Sequence, residues 1–269
     1  MRRLVSFDWA IKKLLRSKVN FGILEGFLSE LLNSDIKILQ VIESESDKET
    51  TNDKFNRVDL KVIDSEEKII IIEIQFERQF DFLQRILYGA SKSIIEHMKE
   101  SDPYSKISKV ISISILYFKL GDGDDYIYCG KTKFFGLHNN LELKLSNKQR
   151  ELFKAKTVSD IYPEYYLLEV VNFDDVAKTT LDEWIYFLKN EEIKENFTAK
   201  GLKEAKEKLD VLKMSEAERA EYEKYQWELH QGASMYESHY ISGKMDGIKE
   251  GIEKGIKKGI EEGKRNKNY

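Results

Sequence analysis

The feature that most limits the possible folds is a run of four isoleucines, Ile69–Ile72, that leads directly into Glu73-Ile74-Gln75. Consecutive β-branched residues are typical of β-strands, and a run this apolar favours a central, mostly buried one. We therefore predict a strand over residues 68–76. A buried strand does not carry two polar residues unless they have a role, so Glu73 and Gln75 become the first candidate functional residues.

A second acidic residue is predicted to lie beside this pair. The preceding strand-like segment, residues 58–63, directs its apolar side chains to the core, so that Asp59 and Lys61 face the other way. A short turn through residues 64–67 joins the two strands as a hairpin. Because Glu73 lies on the neighbouring strand, the hairpin brings Asp59 next to it.

Two carboxylates on neighbouring strands form a suitable binding site for a divalent metal ion. Mg²⁺ prefers hard oxygen ligands and usually keeps several waters while it binds one or two carboxylates. We predict Asp59 and Glu73 as its ligands, with the backbone carbonyl of Ile74 as a third and Mn²⁺ as an alternative ion. Such an ion activates a bound water for attack on a phosphate. Gln75 is predicted to orient that water or the phosphate, since an amide cannot act as a base at neutral pH.

The chain up to residue 173 alternates between helical and strand-like patterns. Apolar residues at helical spacing predict two helices within the first 35 residues and a third over residues 80–99. The strand-like segments, which are short and rich in β-branched or aromatic residues, are 36–42, 58–63, 68–76, 109–118 and 126–135. Residues 43–54 are polar and predict a loop. This order indicates an α/β domain with a mixed sheet, and not a repeating βαβ chain.

The domain organisation changes after residue 173. We predict an α/β domain over 1–173, a charged helical region over 174–232 and a tail over 233–269. Trp184 and Phe187 are expected to dock the helical region. In the tail a glycine recurs every fourth residue from Gly243 to Gly263, and each interior glycine costs a helix about 1 kcal/mol relative to alanine. Two interpretations of the tail stay open: a helix that makes the protein a homo-oligomer, and a low-complexity segment with little function.

Composition limits the compartment and the partners. The formal net charge of −4 argues mildly against a protein that coats nucleic acid, but a metal ion and a local group of basic residues can offset it at one site. Cys129 is the only cysteine, which excludes an intrachain disulfide and a cysteine-based zinc site. With no apolar run long enough to span a bilayer, we predict a cytoplasmic protein that makes no contact with a membrane.

Three basic residues are candidates for contact with nucleic-acid phosphates. Arg85 and Lys92 are seven residues apart on the helix that follows the isoleucine strand, and so share one face of it. Lys12 follows Asp8 by four residues in the first helix. The alternatives are an ordinary i,i+4 ion pair for Lys12 and a solvated helix surface for the other two.

Several motifs together resemble a known family. They are Asp8-Trp9-Ala10-Ile11-Lys12, Phe27-Leu28-Ser29-Glu30-Leu31-Leu32, Arg57-Val58-Asp59, Ile72-Glu73-Ile74-Gln75, Arg85-Ile86-Leu87-Tyr88-Gly89-Ala90-Ser91-Lys92 and Val110-Ile111-Ser112-Ile113-Ser114-Ile115. Over residues 3–155 the chain resembles the bacterial recombination-promoting nuclease and transposase family, within the PD-(D/E)XK nuclease superfamily. The predicted order of elements is similar to the α-β-β-β-α-β core of that superfamily.

This resemblance implies a restriction-endonuclease-like α/β core, followed by the helical C-terminal region. It also implies Mg²⁺-dependent endonuclease cleavage of DNA, linked to recombination or mobile elements, with Asp59 and Glu73 as metal ligands. Gln75 stands where the superfamily usually has lysine, and a neutral amide supplies no charge; other members of the family resemble this chain in that substitution. The superfamily often has a glutamate on its first core helix, and Glu25 or Glu30 fits that role, with Glu25 preferred.

Two functions of other classes stay open. One is a nuclease fold that has lost catalysis and binds nucleic acid or a protein partner, which Gln75 and the acidic net charge favour. The other is a scaffold that assembles through the glycine-rich tail.

Overall fold

The computed structural model describes residues 4–42 and 59–266 of the chain. Within these residues the helices are α1 (Phe7–Lys13), α2 (Phe21–Leu32), α3 (Phe82–Glu96), α4 (Asn147–Phe153), α5 (Thr180–Asn190), α6 (Leu202–Lys208) and α7 (Glu216–Asn266). The strands are β1 (Ile38–Ile42), β2 (Leu60–Asp64), β3 (Ile69–Gln75), β4 (Val110–Leu116), β5 (Ile127–Gly130) and β6 (Glu164–Glu169). The predicted loop 43–54, together with Arg57 and Val58, lies outside the described residues.

The strands form one mixed sheet in the order β1-β2-β3-β4-β6-β5. β3 pairs in parallel with β4, and β4 with β6, whereas the β1–β2, β2–β3 and β5–β6 pairs are antiparallel. The predicted α/β architecture, a central mixed sheet flanked by helices, is therefore confirmed. The hairpin of β2 and β3 is also confirmed, with Leu60 opposite Ile72 and Ile63 opposite Ile69.

The isoleucine strand β3 lies in the interior of the sheet and is sealed by α3. Ile69 and Ile71 pack with Ala90 of α3 and Val110 of β4 in one buried cluster. Side chains alternate along a strand, so Glu73, two residues further on, lies on this same α3 face. The first polar residue of the motif is thus directed toward a helix and not toward open solvent.

A second group of helices is held together by aromatic side chains. Phe7 of α1, Phe27 of α2 and Trp184 and Phe187 of α5 are all buried. Their ring centroids lie 5.5 to 6.1 Å apart in mostly edge-to-face contacts, a favourable geometry for aromatic pairs. The predicted docking role of Trp184 and Phe187 is confirmed.

Two predicted elements differ from the structure. The aromatic strand predicted over residues 126–135 ends at Gly130, and Phe135 makes only an isolated bridge to Glu142. Helical structure is interrupted between α5 and α6, where Glu191 adopts a left-handed conformation with φ of 52°. A residue in that conformation ends a helix, which the highly charged composition of this region does not reveal.

The chain forms two compact units, Met1–Lys213 and Met214–Tyr269. The first contains the whole sheet with α1 to α6, and the second contains α7. The predicted boundaries at residues 173 and 232 remain predictions, and the division between the two units along the chain follows Lys213. Among the described helices, none has a stretch long and apolar enough to cross a membrane.

Candidate functional site

The register of the hairpin sets Asp59 beside Glu73. Asp59 lies immediately before β2, one residue beyond the last ladder pair, Leu60–Ile72, and Glu73 is the next residue after Ile72 on β3. Asp59 Oδ2 accepts a hydrogen bond of 2.7 Å from the backbone amide of Ile74. The two carboxylates predicted as metal ligands therefore lie at the same end of the hairpin.

Two basic residues from the N-terminal part of the chain, Lys12 and Arg16, also contact Asp59. Arg16 Nη2 donates to the backbone carbonyl of Asp59 at 2.8 Å. Lys12 Nζ lies 3.6 Å from Asp59 Oδ1 and 2.8 Å from Asp8 Oδ1. The predicted i,i+4 ion pair thus forms, and the same ammonium group also reaches the candidate site.

Asp8 is almost fully buried, at 1% exposure. Burial raises the pKa of Asp8 above its ordinary value, and the hydrogen bond and positive charge of Lys12 oppose that rise. Lys12 therefore has two carboxylates to neutralise, one in the interior and one at the edge of the site.

Glu73 is buried on β3 and contacts Arg85 of α3 through its Oε1 atom. Burial raises the pKa of Glu73 to about 7, the positive charge of Arg85 opposes this, and the negative charge of Asp59 adds to it. A carboxyl group with such a pKa is readily protonated near neutral pH, and a bound cation would favour its charged form.

Gln75 is followed along the chain by a second glutamine that contacts the same arginine. Arg85 Nη1 donates to Gln79 Oε1 at 2.8 Å and lies 3.5 Å from Gln75 Oε1, at the long limit of a hydrogen bond. The amide of Gln75 donates to the carbonyl of Glu77 at 3.2 Å. A positive charge therefore lies beside residue 75, although residue 75 is itself neutral.

The backbone of Ile74 faces the side on which Asp59 lies. Ile69 donates its amide to Lys109 on the β4 side, and the carbonyl of Gln75 accepts from Tyr117 on that side. Peptide groups alternate along a strand, so those of Ile74 face β2. The carbonyl of Ile74 as a metal ligand stays a prediction, while its amide is already used to orient Asp59.

Neither glutamate of α2 is brought to this site, which corrects the predicted role of Glu25. Glu25 accepts hydrogen bonds from the amide of Ile38 at 2.9 Å and from Lys37 Nζ at 3.1 Å. Ile38 pairs with Asp64, at the end of β2 remote from Asp59, and a five-residue strand is about 17 Å long. Glu25 is therefore held at the start of β1, near the turn end of the hairpin, and not at the open end where Asp59 lies.

Glu30, the alternative candidate, is taken by other residues as well. It accepts from Thr180 Oγ1 at 2.6 Å and from the amide of Lys200 at 3.1 Å. These contacts link α2 to α5 and to the segment before α6, so Glu30 has a structural role there.

Lys92 lies further along α3 than Arg85. Its Nζ is 3.8 Å from Glu96 Oε1, and Glu96 Oε2 accepts a hydrogen bond of 2.8 Å from the buried Lys61. Seven helical residues rise about 10 Å, so Lys92 is not part of the cluster around Glu73. Its contact with phosphate stays a prediction.

Three contributors to the site were not predicted as such: Asp8, Arg16 and Gln79. The four-residue spacing of Asp8 and Lys12 indicated an ion pair, but nothing local showed that it adjoins Asp59. Arg16 and Gln79 carry no local signal, because each acts on a residue that only the fold brings near.

The donor set fits a hard divalent ion. Asp59 and Glu73 offer carboxylate oxygens, and Gln75 and Ile74 offer neutral oxygens nearby. Within residues 4–42 and 59–266 no group of three or more His, Cys, Asp or Glu side chains could hold a metal. A centre with two carboxylates and several waters suits Mg²⁺ or Mn²⁺ and does not suit structural zinc.

A six-stranded mixed sheet flanked by helices in this order defines the class of restriction-endonuclease-like α/β proteins. The family profile of the PD-(D/E)XK nuclease family transposases matches residues 5–237. The chain belongs to this family, and the match extends well beyond the residues that first suggested it. No curated protein and no solved structure matches the chain significantly.

Proposed function

We propose that this chain is a Mg²⁺-dependent endodeoxyribonuclease that hydrolyses phosphodiester bonds in DNA and acts in recombination or on mobile elements. The observation that carries the proposal is the position of Asp59 next to the end of β3 that carries Glu73, where Asp59 Oδ2 accepts a hydrogen bond from the amide of Ile74. Membership of a nuclease family supports the reaction class. The metal, the DNA substrate and the biological process are the parts that the proposal adds.

The proposed roles follow from the contacts of each side chain. Asp59 and Glu73 hold the ion, with Mn²⁺ as a substitute, and the carbonyl of Ile74 is the third protein ligand. An ion of this kind supplies an activated water and offsets charge on the phosphate. The amide of Ile74 fixes the orientation of Asp59, and Gln75 orients the water or the phosphate.

The proposed DNA contacts are Lys12, Arg85 and Lys92. Lys12 and Arg85 adjoin the two carboxylates, so they approach the phosphate that is cut. Lys92 lies two turns further along α3 and suits a neighbouring phosphate. Glu25 is not part of this proposal, because its carboxylate is bound at the other end of β2.

The first test is cleavage of supercoiled plasmid with Mg²⁺ or Mn²⁺. Asp59→Asn and Glu73→Gln preserve shape and remove one carboxylate each, and each is expected to lower the cleavage rate by about 100-fold or more. Glu66→Gln, in the exposed turn at the other end of the hairpin, is the control and is expected to cleave normally. No cleavage with either metal, or cleavage that survives both substitutions, would contradict the proposal.

A second candidate is a binding module without catalysis, favoured by the neutral Gln75 and by the contact of Arg85 with Glu73. This candidate predicts that the protein binds duplex DNA equally well with EDTA and with Mg²⁺, and never cuts it. Fluorescence anisotropy on the same protein preparation separates it from the nuclease.

A further inference from the structure

Gln75 leaves the proposed reaction without the charge that a lysine at this position supplies. Attack on a phosphodiester increases the negative charge on the non-bridging oxygens, and a fixed cation beside the phosphate stabilises that charge. A neutral amide cannot do this. The question is therefore whether another side chain brings a cation to the same place.

Arg85 of α3 lies against the motif strand at this point. One guanidinium group contacts Glu73 through Nη2 and approaches the Gln75 amide oxygen to 3.5 Å through Nη1. The guanidinium group therefore lies beside both polar side chains of β3 that share the α3 face, Glu73 and Gln75.

The position of Arg85 is fixed by its own helix. Arg85 lies in the first turns of α3, one turn after Phe82, which is fully buried against Ile86 and Leu116. The guanidinium lies 6.0 Å from the Phe82 ring centroid, and Gln79 accepts a hydrogen bond of 2.8 Å from it. Packing of α3 on the sheet thus directs this cation toward the site.

The two glutamines hold Arg85 without cancelling its charge, because amide oxygens are neutral acceptors. Lys12 differs, since it is shared between two carboxylates, Asp8 and Asp59. Within residues 4–42 and 59–266, Glu73 is the one carboxylate that contacts Arg85, and a metal ion on Glu73 would compete with Arg85 for it. The guanidinium would then keep its neutral partners and its full charge.

We propose that Arg85 is the catalytic cation of this site. The positive charge that a lysine at position 75 would supply from β3 is supplied here from helix α3. The inference rests on the proposed nuclease function. Arg85 contacts the non-bridging oxygens of the scissile phosphate, to which a guanidinium can donate two parallel hydrogen bonds. It acts as a fixed charge and not as a base, because arginine stays protonated in proteins.

The test removes the positive charge of Arg85 from α3 and then places a lysine on β3 at position 75. Arg85→Gln is expected to lower plasmid cleavage by about 100-fold, while calorimetry shows Mn²⁺ binding that is undiminished, since a cation has been removed from beside Glu73. Adding Gln75→Lys to Arg85→Gln restores a cation on β3 and is expected to recover cleavage by about tenfold or more. Arg85→Lys keeps the charge and is expected to cleave faster than Arg85→Gln.

Lys106→Gln removes one exposed positive charge far from the site and serves as the control, with unchanged cleavage. Circular dichroism confirms that each variant is folded. Three results would overturn the role of Arg85 alone: normal cleavage by Arg85→Gln, equal loss in Arg85→Lys and Arg85→Gln, or no recovery in a double variant that binds Mn²⁺. Absence of cleavage by the unaltered protein would overturn the proposed function, and the Arg85 assignment with it.

Discussion

Charges around the candidate site are balanced residue by residue. Lys12 lies between Asp8 and Asp59, and Arg85 lies against Glu73. A buried charge without a partner is far more costly than an exposed one, so these cations stabilise the carboxylates when no metal is bound. The same side chains therefore hold the site in shape and compete with the ion that it is proposed to bind.

Lys12→Met is expected to destabilise the fold by about 1–3 kcal/mol, because it leaves the buried Asp8 without its cation. Asp8→Asn added to Lys12→Met removes the unpaired carboxylate and should recover part of that loss. Urea denaturation of the two single variants and the double variant measures the coupling. Strictly additive losses would show that the pair contributes nothing as a pair.

Asp182 is a buried carboxylate of α5 that contacts none of the proposed metal ligands in the part of the chain that the structure describes. It accepts hydrogen bonds from the Tyr126 hydroxyl at 2.6 Å and from the amides of Lys178 and Thr179 at 2.8 Å. Burial raises the pKa of Asp182, but these hydrogen bonds more than offset that and hold the pKa below its ordinary value of 3.8. The charged form is therefore the one that stabilises the start of α5.

Asp182→Asn is expected to lose about 2 kcal/mol at neutral pH, because one amide cannot accept from all three donors. A lowered folded pKa means that the stabilisation is present above the unfolded pKa and is lost as pH falls through the folded one. The difference in unfolding free energy between the variant and the unaltered chain should stay constant from about pH 5 to 8 and narrow below about pH 4. A difference that changes between pH 5 and 8 would point to another group.

At the scale of elements, packing of α3 on β3 connects the core to the site. The cluster of Ile69, Ile71, Ala90 and Val110 fixes how α3 lies on the sheet, and that placement directs Arg85 to Glu73. The sequence predicted β3 well, because four isoleucines leave few alternatives. It did not single out β6, whose residues Glu164–Glu169 are tyrosines and leucines between acids and carry no β-branched side chain.

Ile71→Ala is expected to destabilise the fold by about 3 kcal/mol, since it opens a cavity beneath α3. Ile95→Ala, on α3 itself but 72% exposed, is the matched control and should change stability by less than about 0.5 kcal/mol. Urea denaturation compares the two. Equal losses of unfolding free energy in the two variants would mean that Ile71 is not buried between β3 and α3.

Helix α2 approaches the segment before α6 so closely that a glycine is required. A Cβ atom on Gly26 would lie 2.3 Å from the Lys200 carbonyl oxygen and 2.7 Å from the Gly201 Cα atom, both backbone. On Gly22 it would meet only the carboxylate of Glu204, at 2.3 Å, and that flexible side chain can move away. The two glycines of one helix thus differ in what surrounds them.

Gly26→Ala is expected to cost about 1–3 kcal/mol, because the backbone must shift. Gly22→Ala should be close to neutral, since the better helix propensity of alanine, about 1 kcal/mol, offsets the displaced side chain. Thermal unfolding ranks the two variants. A Gly26→Ala protein as stable as Gly22→Ala would contradict the close approach of the backbones.

At the scale of the whole molecule, the second compact unit carries exposed isoleucines along α7. Ile248, Ile252, Ile256 and Ile260 are each more than half exposed, at 54 to 59%. A four-residue period drifts by about 40° per repeat on an α-helix, so these residues form a slowly winding apolar stripe beside the glycines. Of the two interpretations of the tail, the exposed stripe favours association with a second copy of the chain.

Sedimentation velocity on the full chain tests this interpretation. We expect a homo-oligomer that dissociates in the variant Ile252→Ser/Ile256→Ser, while Glu253→Gln, on the same helix, leaves the assembly intact. An unaltered chain that sediments as a monomer would support the low-complexity interpretation instead.

The sequence by itself determined the features that depend on local periodicity. Strand alternation and a short turn are sufficient to set Asp59 beside Glu73, and the run of isoleucines is sufficient to bury β3. The order of helices and strands from α1 to β5 followed in the same way, because each of those patterns is contained within a few consecutive residues.

Only the tertiary structure decided which distant side chains complete the site. Helical periodicity placed Glu25 and Glu30 beside an apolar stripe but could not show that Ile38 and Lys200 capture them. It likewise could not show that Arg85 meets Gln75. The physical reason is that periodicity fixes the direction of a side chain relative to its own element, whereas its partner depends on how two elements pack.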